Sequence, residues 1–265
     1  MSLADPFLAV DRHFSSRARL TRDIIVDEVF IDLSAQVHAV LLERHEELSR
    51  PPPHDDPTEK LPLPPIAALD WRADSLVDLD DAQAEADDPD WDDVAVLIGS
   101  EIIRSVRATV REKLGYTCSA GIANNKMLSK LGSGHKKPNG QTVIRSRAIP
   151  HFLSGLRFAK LRNLGGKLGE NVARVFGTDF VEGLLMVSVE QLKLKLGDDT
   201  GLWVYNAIRG TDFSEVSSRT AIKSMLSAKS FRPSINSFDQ AAKSVSSDPL
   251  IRPHRGLLAG PIAQC

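Results

Sequence analysis

Two adjacent carboxylates, Asp27 and Glu28, interrupt a β-branched, apolar run, DIIVDEVFIDL, over residues 23–33. Ionised acids in such a strand are costly unless they are paired or hold a metal. Successive strand side chains point to opposite faces, so both acids reach one cation only at a strand end or bend. An edge-strand pair facing water fits the same residues. Lysines gather further on, along a short helical pattern and in the rigid basic turn His135-Lys136-Lys137-Pro138-Asn139-Gly140. Cations beside a sheet edge suit a bound polyphosphate, and on spacing alone a solvated loop suits them as well. The third group is the glycine-rich hairpin Leu164-Gly165-Gly166-Lys167-Leu168-Gly169, with Lys160 and Arg162 just before it. Glycines let backbone approach a phosphate, and amides at the following helix N-terminus bind the anion. Lys160, Arg162 and Lys167 add charge without base specificity. A tight turn between two helices would have the same spacing.

The elements that must position these groups follow from periodicity. Residues 23–33 read as one strand, with Asp32 on the surface or capping the next helix, and Ser34–Glu47 as an amphipathic helix. Residues 51–93, with their Pro-rich stretches and acidic pairs, break all periodicity and predict an exposed, largely unstructured insertion. Helical spacing returns over Val94–Leu114. Thr117–Ile122 predicts a buried strand with Cys118 as a small core residue. A helix capped by Asn124 or Asn125 runs to about Leu131, stopped by Gly132 and Gly134, and Gln141–Ile144 is a second strand. A helical region opens near Ile149, with short helices either side of the glycine hairpin, then Ser188–Leu196 and Thr200–Arg209. His135 and His151 have no metal-ligand partner at useful spacing and take surface or packing roles.

Charge is unevenly spread. Residues 55–93 carry a net −12 and residues 94–265 a net +13, within an overall −2. The basic two thirds favour nucleic acid, while the acidic block conceals that bias in the whole-chain pI. No apolar run is long enough for a membrane helix. Two cysteines make no disulfide framework, and a reduced intracellular compartment is the expectation.

The motifs DEVFIDLS, SAGIANNK, GHKKPNGQT, RNLGGKLG and SAKSF succeed one another between about Asp23 and about Asn236. In that order they resemble the Y family of translesion DNA polymerases, the DNA polymerase eta branch in particular. The resemblance implies an α/β (α+β) palm with a mixed or antiparallel sheet over residues 23–148, interrupted by the insertion at 51–93. It implies a small all-α helix–hairpin–helix thumb over 149–216, a linker at 217–241, and divergent ends at 1–22 and 242–265. Ile25-Val26-Asp27-Glu28 stands where the family has Ser-Ile-Asp-Glu. Asp27 and Glu28 would then be catalytic ligands of two Mg2+ ions, and Lys137 would hold the incoming dNTP triphosphate. Lys160, Arg162, Leu164, Gly165, Gly166, Lys167 and Gly169 would grip the minor groove of primer–template DNA. The implied compartment is the nucleus, with no membrane partner, and a sliding-clamp contact is expected of a C-terminal region outside this chain.

Residues 1–22 lack the family's first palm strand with its metal-bridging aspartate and leave no room for fingers, and the little finger is not reached. The expectation is a truncated polymerase, inactive alone. A non-catalytic DNA-binding remnant of palm and thumb is the alternative, and a nuclease built on Asp27 and Glu28 has no further motif behind it.

Overall fold

The apolar run that carries the acids folds back on itself. In the computed structural model, which describes residues 21–25, 28–49, 64, 69–79, 90–217 and 236–240, β1 (Thr21–Ile25) pairs antiparallel with β2 (Glu28–Asp32). Thr21 lies opposite Asp32 and Ile25 opposite Glu28, so the single strand expected over 23–33 is a hairpin instead. Residues 26–27, between the two strands, lie outside the described residues. After β2, Asp32 is exposed, the surface position expected of it, and its carboxylate accepts from the Ser34 amide at 2.9 Å just before α1 (Ser34–Arg44), whose N-cap is Leu33 without a side-chain cap bond. The helix ends three residues earlier than its pattern suggests and buries none of its residues.

The second sheet has three parallel strands in the order β3 (Ser75–Leu76), β5 (Gln141–Val143), β4 (Ala120–Ile122). The expected mixed or antiparallel palm sheet is thus, among the described strands, a parallel sheet plus a separate antiparallel hairpin. β5 is central and buried throughout, as a parallel strand covered on both faces must be. β3 corrects the reading of residues 51–93. Within that stretch, residues 69–79 are described, and Val77 and Leu79 are buried in the core. What fixes them is Asp74, whose fully buried carboxylate accepts from Ser100 Oγ at 2.8 Å, Arg104 Nη2 at 3.2 Å and Gln141 Nε2 at 2.7 Å. Acidic composition hid a strand because the partners of its one buried acid lie 26 to 67 residues away.

The long helix α2 (Trp91–Leu114) opens on an Asp90 cap, which accepts from the Asp93 amide at 2.8 Å, and closes on Gly115 in the left-handed region. It packs Val94, Leu97, Ile98, Val106 and Val110 inward. β4 then feeds α3 (Lys126–His135), capped by Asn125, whose Oδ1 accepts from the Leu128 amide at 3.0 Å. α3 does not stop at Gly132 but runs through Gly132 and Gly134 to His135. The reason is the close approach of β4. A Cβ on Gly121 would lie 2.1 Å from the Ser129 carbonyl oxygen and 2.3 Å from the Ser133 nitrogen. Small residues there let helix and strand touch, and the packing outweighs the poor helix propensity of glycine. β4 is also shorter than expected, which leaves Cys118 exposed before it rather than in the core.

The remaining regular elements of this unit are helices joined by turns. α4 (Ile149–Ser154) begins with Pro at its first turn, followed by a single 3-10 turn, Phe158–Lys160, then α5 (Lys167–Phe176) and α6 (Val181–Leu185). α7 (Val189–Leu196) carries a reciprocal capping box between Ser188 and Gln191, and α8 (Asp198–Ala207) returns against it. Of the two short helices expected around the glycine hairpin, the first is only the 3-10 turn. Leu153, Phe158, Leu161, Leu164, Val172, Leu184, Leu192 and Val204 form a core continuous with Val77, Leu128 and Ile144 of the sheet side. All of this belongs to one compact unit, Met1–Ser218. In the second, Arg219–Cys265, the described residues are 236–240, where Ser237 Oγ accepts from the Gln240 amide at 3.3 Å. The expected divergent N-terminus, the expected tail and most of the linker lie outside the described residues.

Candidate nucleic-acid and nucleotide interface

The glycine hairpin is held from behind and open in front. Leu164 N donates to the Leu161 carbonyl at 3.0 Å, and Glu170 N donates to Gly166 O at 3.1 Å as the first turn of α5 closes. Gly169 is buried, and a Cβ there would lie 1.9 Å from the Leu164 oxygen, so α5 seats directly on the hairpin backbone. Leu164 is 1% exposed. These two residues, expected among the DNA contacts, therefore build the hairpin from inside. Gly165, Gly166 and Lys167 are exposed, and around Gly166 an added Cβ would meet no heavy atom within 4 Å. No side chain caps α5 at Gly166, so its first-turn amides point outward without an intrahelical acceptor. Lys160, Arg162 and Lys167 stand exposed around them.

Arg162 also borders a cleft lined by Phe30 of β2, Lys126 and Lys130 of α3, and Trp203 and Asp212 from the helical side. Lys126 Nζ lies 4.8 Å from the Phe30 ring centroid and donates to Glu215 O at 3.4 Å. The N-terminus of α3 is tied to the segment after α8: Asn125 Nδ2 donates to Gly210 O at 2.7 Å, and Met127 N to Asp212 Oδ2 at 3.0 Å. Beyond the other end of α3, Lys136, Lys137, Pro138 and Asn139 are all exposed, and the Lys137–Pro138 peptide is cis. Asn139 takes φ +52°, a region that asparagine tolerates better than most residues.

Of the two acids, Glu28 is described and Asp27 is not. The Glu28 carboxylate forms an ion pair with the Lys130 ammonium across the gap from β2 to α3. No three His, Cys, Asp or Glu residues converge among the described residues. Mg2+ takes about six oxygen ligands, of which a protein supplies one or two carboxylates while waters and substrate phosphates supply the rest. Of the expected pair only Glu28 is described, and a lysine answers it, so the described residues by themselves do not complete the expected Mg2+ site. His135 stacks edge-on to Phe152 with centroids 5.6 Å apart and His151 is exposed, the packing and surface roles expected of them.

Sequence reasoning missed two participants. Arg107 on α2 reaches across to the basic turn, and Asp212 holds the Met127 amide in the first turn of α3. The first left a trace: Ser100, Arg104 and Arg107 are polar residues at helical i, i+4, i+7 spacing beside an apolar face. Asp212 lies in an irregular segment, and its partner is 85 residues away.

Two family models match the chain. Residues 8–134 match the impB/mucB/samB family, and residues 156–211 match the "DNApol eta/Rev1, HhH motif" family, which contains the glycine hairpin. The chain is 37% identical over 218 residues to "N-acetyltransferase eso1" of Schizosaccharomyces pombe, covering 81% of this chain and 24% of that one. It is 41% identical over 145 residues to "DNA polymerase eta" of Arabidopsis thaliana, 55% of this chain and 22% of the relative. With "DNA polymerase eta" of Drosophila melanogaster it shares 38% over 139 residues, 52% and 16% of the two chains. The chain thus spans a quarter or less of these relatives.

Proposed function

Because the chain belongs to the Y family of DNA polymerases, we propose that it supplies the palm and thumb contacts of a nuclear translesion polymerase. The thumb hairpin grips duplex DNA, and Lys137 holds the triphosphate of an incoming dNTP. The observation that carries this reading is the open front of the hairpin. Two exposed glycines and uncapped first-turn amides of α5 sit among three exposed cations, while Leu164 and Gly169 fix the backbone behind them. Amides with a helix N-terminus bind one phosphate closely, and lysine or arginine heads neutralise its neighbours. None of these groups reads a base edge, so the grip is independent of sequence. In the family, template-directed nucleotidyl transfer draws on divalent cations for electrostatic stabilisation of the phosphoryl group. Asp27 and Glu28 are the residues of this chain proposed to meet them.

A second reading, a DNA-binding module without catalysis, is favoured by the Glu28–Lys130 pair and by the small acidic set among the described residues. Primer extension on undamaged and lesion-bearing templates, run beside a DNA-retention assay, separates the two. Retention without extension is the expected result for the 265-residue chain and supports the module. Chelator-sensitive extension that Glu28→Ala abolishes would establish polymerase chemistry in the chain itself. A folded chain that retains no duplex would remove both readings.

A further inference from the structure

We propose that Arg107 is a positioning residue for the triphosphate-holding turn, an inference that rests on the reading of Lys137 given above. One guanidinium makes four hydrogen bonds. Nη2 donates to both the carbonyl of Asn139 at 2.8 Å and its Oδ1 at 2.9 Å, Nη1 to Gln141 Oε1 at 3.3 Å, and Nε to the Cys118 carbonyl at 3.0 Å. Among the described residues no other side chain hydrogen-bonds to the exposed backbone of 136–139. The turn is also sterically closed from within, since a Cβ on Gly140 would lie 2.0 Å from the Lys136 oxygen. Arg107 therefore anchors a turn whose own shape is already narrow.

The anchor has a firm base. Gln141, which Arg107 touches, donates through Nε2 to Asp74 Oδ1 at 2.7 Å and to the Ser100 carbonyl at 2.9 Å. Asp74 in turn binds Ser100 and Arg104 of the same α2 stripe. Ser100, Arg104 and Arg107 thus lie along one face of α2 and connect β3, the start of β5 and the basic turn in a single network. Arginine suits the place because its planar fork presents five donors in fixed directions, where lysine offers a single flexible ammonium. Lys137 itself lies exposed in that turn. Held backbone lets its ammonium meet a triphosphate without first ordering the chain that carries it, and that saved ordering returns as affinity.

The test uses the full chain. Backbone amide exchange of Lys136, Lys137, Asn139 and Gly140 is measured in wild type, Arg107→Met, Arg107→Lys and Asn139→Gly, and a fluorescent mant-dATP is titrated against each, with and without Lys137→Met. Thermal melts confirm that each variant is folded. Asn139→Gly removes only the Oδ1 contact and keeps a residue that accepts positive φ, so it serves if Arg107→Met fails to fold. Arg107→Met should speed exchange in the turn and weaken mant-dATP roughly tenfold, the order of re-ordering a loosened segment. Arg107→Lys should recover little of this, and Asn139→Gly should fall between. In the Lys137→Met background the Arg107 substitution should cost nothing further. Unchanged exchange, or an equal loss in both backgrounds, would overturn the proposal. If wild type and Lys137→Met bind mant-dATP equally, the nucleotide reading of Lys137 falls and takes the proposal with it. Exchange that still rises in Arg107→Met would then mark the parent reading as the part that failed.

Discussion

Neutralising the thumb hairpin should remove most of the salt dependence of DNA binding. The perturbation is Lys160→Gln, Arg162→Gln and Lys167→Gln, singly and together. All three side chains are exposed, and none forms an ion pair with another described residue. Arg157 differs, because it already pairs with Asp179 at 3.2 Å and stacks on Phe180. Each phosphate neutralised on duplex DNA contributes about −0.9 to the slope of log affinity against log salt. Three contacts give a slope near −2.7, so affinity should fall about 40-fold between 50 and 200 mM salt. Each single substitution should flatten the slope by about 0.9, whereas Arg157→Gln should leave it nearly unchanged. Gly166→Val probes the other half of the grip. Nothing lies within 4 Å of the added Cβ, so the fold should accept it while the side chain blocks backbone approach to a phosphate. Affinity should drop at every salt concentration with the slope preserved. Fluorescence anisotropy with a labelled duplex of arbitrary sequence reads both effects. A triple variant that keeps the wild-type slope would place the DNA contact elsewhere and refute the hairpin assignment.

The fold offers further checks. Gly169→Ala forces a methyl group against the Leu164 carbonyl and should destabilise the unit by about 1–3 kcal/mol in chemical denaturation, a loss absent from Gly166→Ala. Asp74→Ala takes from Ser100, Gln141 and Arg104 their shared acceptor and should cost about 1–3 kcal/mol, the range for losing a buried hydrogen-bond partner, with an unchanged denaturation midpoint counting against a structured 69–79 segment. Burial pushes the Asp93 carboxyl above its ordinary 3.8, against the pull of Arg147 at 3.1 Å. The folded state then binds this proton more tightly than the unfolded chain does. Stability from this group is therefore greatest at low pH and declines as pH rises from about 4 through the raised value. Asp93→Asn should flatten that part of the melting profile, and an unaltered profile would show that another group sets it.

What the sequence showed depended on how local the determining interaction was. The cap at Asn125, the end of α2 at Leu114 and the surface position of Asp32 all rest on partners within a few residues, and these were readable. The stop placed at Gly132 failed because propensity is local while the contact with Gly121 is not. β3 was hidden for the same reason, since an aspartate among aspartates carries no sign that its partners are Ser100, Arg104 and Gln141. At the candidate site, residue types pointed to the hairpin and the basic turn, but they could not separate Leu164 and Gly169, which build the hairpin, from Gly165, Gly166 and Lys167, which face out of it.

The two cationic sites differ in how their charge is supported, and the difference bears on what each can hold. At the hairpin the backbone is fixed by packing, so charge and amides meet a ligand with little rearrangement. In the basic turn the chain is exposed on every described residue from Lys136 to Asn139, and the side-chain hydrogen bonds to it come from one arginine reaching over from α2. A duplex presents many phosphates and tolerates a loosely placed lysine, because a neighbouring phosphate is always near. A single triphosphate offers no such choice, and the lysine that holds it must be held in place itself. If Lys137 holds the triphosphate as proposed, the network from Asp74 through Gln141 to Arg107 acts through it, and its loss should leave duplex binding nearly intact while nucleotide binding falls.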